Sequence, residues 1–128
     1  MHKLLPIAFL LLASCHESFE ARLTNQAKNQ TRMNCPKRVD KFTILDSITY
    51  SADTNDWCYH YTLTDSLDNA ALYTTQTQTA FHDILLQKVR NNLELRSIKE
   101  HGISISYTYH LKSDGKAVIN ETFTRDDY

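Results

Sequence analysis

The stretch from Ile103 to Leu111 alternates without a break. Ile103, Ile105, Tyr107, Tyr109 and Leu111 fall on one side, and Ser104, Ser106, Thr108 and His110 on the other. Successive strand residues point to opposite faces of a sheet, so this pattern fits a half-buried strand and no helix. Ser113-Asp114-Gly115 then turns the chain, and Ala117, Ile119 and Phe123 carry the apolar row back, which predicts a hairpin. A second alternation precedes it: Trp57, Tyr59, Tyr61 and Leu63 oppose Cys58, His60, Thr62 and Thr64. Its partner strand is weaker. Phe42, Ile44, Ile48 and Tyr50 run at period two, Asp46 interrupts them, Leu45 lies off register, and the polar residues 51–56 form the turn.

Helical spacing fills the rest. Glu20 to Met33 supports a first helix with a thin stripe of Leu23, Ala27 and Met33, ended by Asn34-Cys35-Pro36 because the residue before proline avoids helical backbone. Thr79 to Arg90 places Phe81, Ile84, Leu85 and Val89 on one face. Asn91 is positioned to cap a short second helix, with Glu94 as its partner, Leu95 and Ile98 inward, and Gly102 as the stop. Residues 64–78 carry no clear period, with room for a short strand around Ala71 to Thr75, and Arg125 to Tyr128 reads as a frayed end. The expected fold class is α+β: helix, two-strand hairpin, helical segment, two-strand hairpin, with the helices on one face of an antiparallel sheet.

The chain begins Met1-His2-Lys3, a basic start, followed by an almost wholly apolar run from Leu4 to Ala13 and closed by Leu12-Ala13-Ser14-Cys15. The run is about half the roughly 20 residues that a membrane-spanning helix needs. Its closing tetrapeptide resembles the lipobox of bacterial lipoproteins. That resemblance implies cleavage before Cys15, lipid on its sulfur and acylation of its amine. The expected organisation is therefore a signal peptide at 1–14, a lipidated cysteine and tether at 15–22, and one small α+β domain at 23–128. His16 in place of aspartate implies sorting to the outer membrane, on the periplasmic side. Two or three acyl chains, at about 0.8 kcal/mol per buried methylene, suffice to hold such a domain at a bilayer.

With Cys15 committed to lipid, two of the three cysteines remain, and Cys35 and Cys58 are expected to form a disulfide. An oxidising compartment permits the bridge, and its loop would contribute about 3 kcal/mol. A second resemblance rests on Asn34-Cys35-Pro36-Lys37-Arg38-Val39-Asp40, Thr43-Ile44-Leu45-Asp46-Ser47, Tyr59-His60-Tyr61-Thr62-Leu63 and Gly102-Ile103-Ser104-Ile105-Ser106-Tyr107-Thr108-Tyr109. Together these segments resemble a group of small exported bacterial proteins of uncharacterised function.

Charge and composition exclude several classes. Without Lys3, 13 basic residues face 15 acidic ones, a net charge of −2, so the basic excess of a nucleic-acid partner is missing. Two glycines cannot supply a nucleophile elbow, an oxyanion turn or a phosphate-cradling loop. His60 and His110, on the polar faces of two strands, are the candidates for a metal site with Asp65 or Glu121. A small metal-dependent hydrolase using them is the alternative function. Solvent-facing polar residues are the simpler account of that pair. Asp40 and Asp46 read as turn or edge residues before they read as an acid–base dyad. Trp57, Tyr59, Tyr61, Tyr107 and Tyr109 form an aromatic row, read first as core and second as a recognition face. The expectation is a non-enzymatic, lipid-anchored binding or adaptor module without cofactor, meeting another envelope protein. Escort of a secretion subunit, as by a pilotin, or inhibition of a cell-wall hydrolase are two forms of that work.

Overall fold

A computed structural model describes residues 18–128. The signal-peptide and Cys15 expectations lie outside the described residues. The first helix, α1, spans Phe19–Asn34; Ser18 caps it by accepting a hydrogen bond from Ala21 N at 3.1 Å. It therefore starts within the segment expected to be tether. Leu23 and Ala27 are its buried residues, while Met33, expected on the same stripe, stands in solvent.

Strands β1 (Lys37–Asp40), β2 (Thr43–Ser51), β3 (Asp56–Leu63), β4 (Ser104–Leu111) and β5 (Ala117–Phe123) make one sheet in the order β1-β2-β3-β4-β5. β1 was not expected. All four of its residues are exposed, so it has no burial period to show in the sequence. β2 corrects the expected register. Pairing runs Leu45 with Tyr61 and then Ser47 with His60, leaving Asp46 as an extra residue in a bulge. One inserted residue inverts the facing of all that follows, so Leu45 and Ile48 both enter the core and Ile44 turns to the other face.

Between the hairpins, residues 64–74 hold two turns of 3₁₀ helix rather than a strand. Asn69 Oδ1 accepts from Ala71 N at 3.1 Å, and Thr74 Oγ1 caps the next helix by accepting from Thr77 N at 3.3 Å. Helix α2 spans Thr75–Asn91, with Leu85 and Val89 buried and Ile84 exposed. Asn92, one residue later than expected, accepts from Glu94 N at 3.0 Å and starts the 3₁₀ turn Leu93–Leu95; the one-turn helix α3, Arg96–Glu100, follows. Gly102 leaves this segment at φ +67, a backbone that favours glycine, and a Cβ there would overlap the Arg125 guanidinium.

The α+β class is as expected, with helices on one face of a mostly antiparallel sheet, but the central pair is parallel. β3 pairs with β4 from Asp56 with Ser104 to Leu63 with Leu111. A connection containing a helix returns the chain to the same end of the sheet, as parallel pairing of neighbours requires. α1 packs on β2 and α2 on β5. Beyond Leu45, where β1 has ended, the Thr31 hydroxyl of α1 takes over the ladder: it donates to Ile48 O at 2.9 Å and accepts from Ile48 N at 2.8 Å. The C-terminus is also tied down, because Tyr128 Oη donates to Ile103 O at 2.8 Å and Arg90 donates to Asp127 O. The core unites Leu23 and Ala27 with Leu85, Val89, Leu95 and Ile98 over Trp57, Tyr61, Ile105, Tyr107, Ile119 and Phe123.

Candidate functional site

Strand alternation and the in-register parallel pairing put four tyrosines in a two-by-two block on the helix-bearing face. Tyr59 pairs with Tyr107, and Tyr61 with Tyr109. Their rings stack with centroids 5.1 Å apart for the first pair and 4.6 Å for the second, inclined by 16° and 10°. Offset stacking of this kind adds to the stabilisation from buried area. The block lies on β3 and β4, between the strands on which α1 and α2 rest. Phe81 of α2 meets Tyr109 edge-on at 5.4 Å. Lys88, two turns on along the same helix, holds its ammonium 6.0 Å from the Tyr61 ring centre and 5.7 Å from that of Tyr107.

Burial governs the protonation of this block. It raises Tyr61 and Tyr107 far above the usual phenol range, each further raised by neighbouring tyrosine oxygens. Tyr109 is pushed up to about 12 by burial and then by the Asp40 carboxylate, and burial is also the main cause of the rise at Tyr59. At neutral pH all four are therefore neutral phenols able to donate a proton. Lys88 is lowered by burial alone. Tyr107 is only 1% exposed, and its hydroxyl has no hydrogen-bond partner among the described residues. The Trp57 indole N–H shares that condition: it lies close to the Tyr59 oxygen without reaching hydrogen-bond geometry. Trp57, Tyr61, Tyr107 and Tyr109 are thus core, the first of the two readings of the aromatic row, and Tyr59 is its half-buried member.

The other sheet face carries the expected histidines. His60 Nε2 lies 2.8 Å from Thr49 Oγ1, and His110 Nδ1 donates to Gly115 O at 3.2 Å. Burial lowers the His60 pKa, the His110 charge lowers it further, and Asp46 and Asp56 partly offset this. The carboxylates proposed as their companions are elsewhere. Glu121 occupies the helix-bearing face, where its Oε2 lies 2.8 Å from His82 Nδ1, and Asp65 sits in the turn after β3. Among the described residues no group of three or more histidine, cysteine or acidic side chains converges as a metal site. Asp40 accepts from Phe42 N at 2.9 Å in the β1–β2 turn, and Asp46 accepts from Thr62 Oγ1, so the two are separate and each is engaged locally. Ser104 and Ser106 both donate to Asp56 Oδ1 at 2.7 Å, and such bonds occupy much of this face.

The expected disulfide is corrected. Cys35 and Cys58 are free thiols on opposite sides of the sheet. Cys35 follows α1 and packs against the core on the helix-bearing side, near Tyr61. Cys58 has the parity of His60, and its sulfur lies 3.8 Å from Thr108 Oγ1 on the other side. A bridge needs Cβ atoms about 4 Å apart, which a sheet between the side chains forbids.

One site residue, Lys88, escaped the sequence reading, and another, Glu121, was expected beside the wrong histidines. Lys88 shares a helical face with Phe81 and Leu85, a cation on an otherwise apolar stripe. Glu121 lies between Ile119 and Phe123 on the inward register of β5, an acid where the pattern calls for an apolar residue. His82 answers it, its pKa raised first by the hydrogen bond to Glu121.

Residues 18–119 match a protein family described as a domain of unknown function (DUF8479). No curated protein sequence matches the chain. Two solved structures share its fold. One is a Pseudomonas aeruginosa protein described as secreted, 15% identical, with a TM-score of 0.68, covering 88% of this chain and 98% of its own. The other is a pilotin of the Vibrio vulnificus type 2 secretion system, 17% identical, with a TM-score of 0.63 over 84% of this chain and 89% of its own.

Proposed function

This chain belongs to the DUF8479 family, and we propose that it is a non-enzymatic binding module of the bacterial cell envelope, anchored by lipid on Cys15, that holds a segment of another envelope protein over its tyrosine block. The observation that carries this reading is the block itself. Four stacked, un-ionised tyrosines lie on the two central strands, with helices resting on the strands to either side. Tyr61, Tyr107 and Tyr109 are only 4%, 1% and 7% exposed, so the part a partner would meet is the rim of the block, the half-buried Tyr59 and the exposed Lys88 beside it, and aromatic edges with polar tips are favoured at interfaces. The pilotin fold is compatible with the escort of a secretion subunit as the particular form of this work, since one fold can carry many activities and only the site distinguishes them. Sorting by His16 would place the module at the outer membrane.

A photoreactive amino acid installed at Tyr59, the half-buried member of the block, tests the reading in living cells. Tyr59 should yield one repeated adduct with an envelope protein, and the same group at exposed Asn120, on the opposite face, should not. Absence of an adduct from Tyr59, or equal adducts from both positions, overturns the proposal. Cys15→Ala should release the protein from the membrane fraction; unchanged fractionation would remove the anchor from the proposal.

A further inference from the structure

Helix α1 begins closer to Cys15 than the expected tether at 15–22 allowed. Ser18 caps it and Phe19 is its first residue, so three peptide steps separate the Cys15 Cα from the Ser18 Cα. At 3.8 Å per step they reach about 11 Å. The eight residues of β4, by contrast, carry the sheet about 26 Å from one end to the other. A lipid on Cys15 therefore draws one particular end of the domain to a bilayer and leaves the other to stand off. Contacts identify that end. The Phe19 ring stacks on His101 with centroids 4.1 Å apart and planes inclined by 19°. Burial and then the Glu20 carboxylate raise the Tyr50 phenol, which donates to Asn55 Oδ1 at 2.7 Å. Asn55 O accepts in turn from Ser104 N, where β4 starts. The first turn of α1, the β2–β3 turn and residues 101–104 thus lie together. Parallel pairing of β3 with β4 puts the 3₁₀ turns after Leu63 and the β4–β5 turn after Leu111 at the other end, where Asp68 accepts from Ser113.

We propose that the end of the domain holding Phe19 and His101 rests on a phospholipid surface, with Phe19 and Arg22 as its contact with the headgroups. This rests on the lipid anchor at Cys15 proposed above and adds the orientation of the domain. Arg22 is exposed, holds its guanidinium 5.6 Å from the Phe19 ring centre and forms no ion pair among the described residues. A guanidinium in that position can pair with a headgroup phosphate. The half-buried ring beside it supplies apolar surface for the boundary between headgroups and acyl chains. Charges of both signs share this end, Arg22 and Arg125 with Glu20 and Asp53, so a zwitterionic headgroup suits it and an excess of anionic lipid is not required. The short link, rather than net charge, holds the two surfaces together.

The test uses the mature protein isolated from membranes, with the lipid on Cys15 verified by intact mass. It is placed in nanodiscs of zwitterionic phospholipid that include a small share of lipid carrying a nitroxide on its headgroup. Amide resonances of residues 19–22, 52–55 and 101–102 should lose several-fold more intensity than those of 67–72 and 112–116. Equal losses at the two ends, as a domain lying on its side or turning freely about its anchor gives, overturn the proposal. Inserting about twelve glycine and serine residues between His16 and Glu17, a coil about 19 Å across, should remove most of the difference between the ends. An undiminished difference overturns the short link as its cause. Arg22→Ser should weaken the losses at 19–22, and unchanged losses there refute the headgroup contact. A mass without lipid on Cys15 is instead a failure of the anchoring reading, and it shows before any resonance is recorded.

Discussion

Replacing Tyr107 by phenylalanine removes a single oxygen and leaves every ring contact in place: the stack on Tyr59 at 5.1 Å, the contact with Tyr61 at 6.4 Å and the edge-on contact with Phe123 at 6.3 Å. Its hydroxyl is buried without an acceptor, a condition that costs about 1–3 kcal/mol. Phenylalanine relieves that cost, less whatever the Lys88 charge already offsets, so Tyr107→Phe should stabilise the domain by about 1 kcal/mol. Tyr128→Phe is the control. Its hydroxyl donates to Ile103 O at 2.8 Å, and its loss should cost about 1 kcal/mol. Urea unfolding followed by circular dichroism separates the two. With slopes of about 1–2 kcal/mol/M, the midpoints should move by about 0.5–1 M in opposite directions at constant slope. A Tyr107→Phe midpoint below that of the unaltered protein would refute the reasoning, since it would mean that the hydroxyl has an acceptor.

Thr31→Val removes both bonds that the α1 hydroxyl makes to Ile48, and should destabilise the domain by about 1–2 kcal/mol; an unchanged urea midpoint would show that water replaces them without loss. Alkylation in denaturant without reductant should add one label each to Cys35 and Cys58, and an intact mass showing neither would restore the disulfide. His82 titrates above its usual value because its protonated ring is held by Glu121. Its contribution to stability is therefore complete below about pH 6.5 and is lost as pH rises through the raised value. Glu121→Gln should flatten that part of the pH profile and return the His82 ring titration toward normal, while His60 should continue to titrate low; an unmoved His82 titration would exclude the pair as the cause.

How far the sequence could be read depended on whether a residue's role was periodic. Trp57 to Leu63 and Ile103 to Leu111 announced β3, β4 and their buried faces, because period two is a property of a single strand and needs no neighbour. The parity of Cys58 was equally legible. Its consequence was not, since whether two sulfurs can meet depends on which face of the sheet α1 covers. β1 carried no signal, because an exposed four-residue edge strand is defined only by its partner. Asp46 stood out as an interruption, but only pairing with β3 turned it into a bulge that sends Leu45 and Ile48 inward together.

By itself, then, the sequence determined the α+β class, the two aromatic strands, the faces of α2 that hold Leu85 and Val89, and the lack of glycine needed for nucleophile or phosphate loops. Each of these follows from short-range stereochemistry or composition. Tertiary structure decided that β3 and β4 lie side by side in parallel, and so stack Tyr59 on Tyr107 and Tyr61 on Tyr109. It also set Lys88 over those rings, parted Cys35 from Cys58, and withdrew Glu121 from His60 and His110 to His82. These are meetings of residues far apart in the chain, fixed by strand order and by which helix rests on which strand, and no local pattern encodes them.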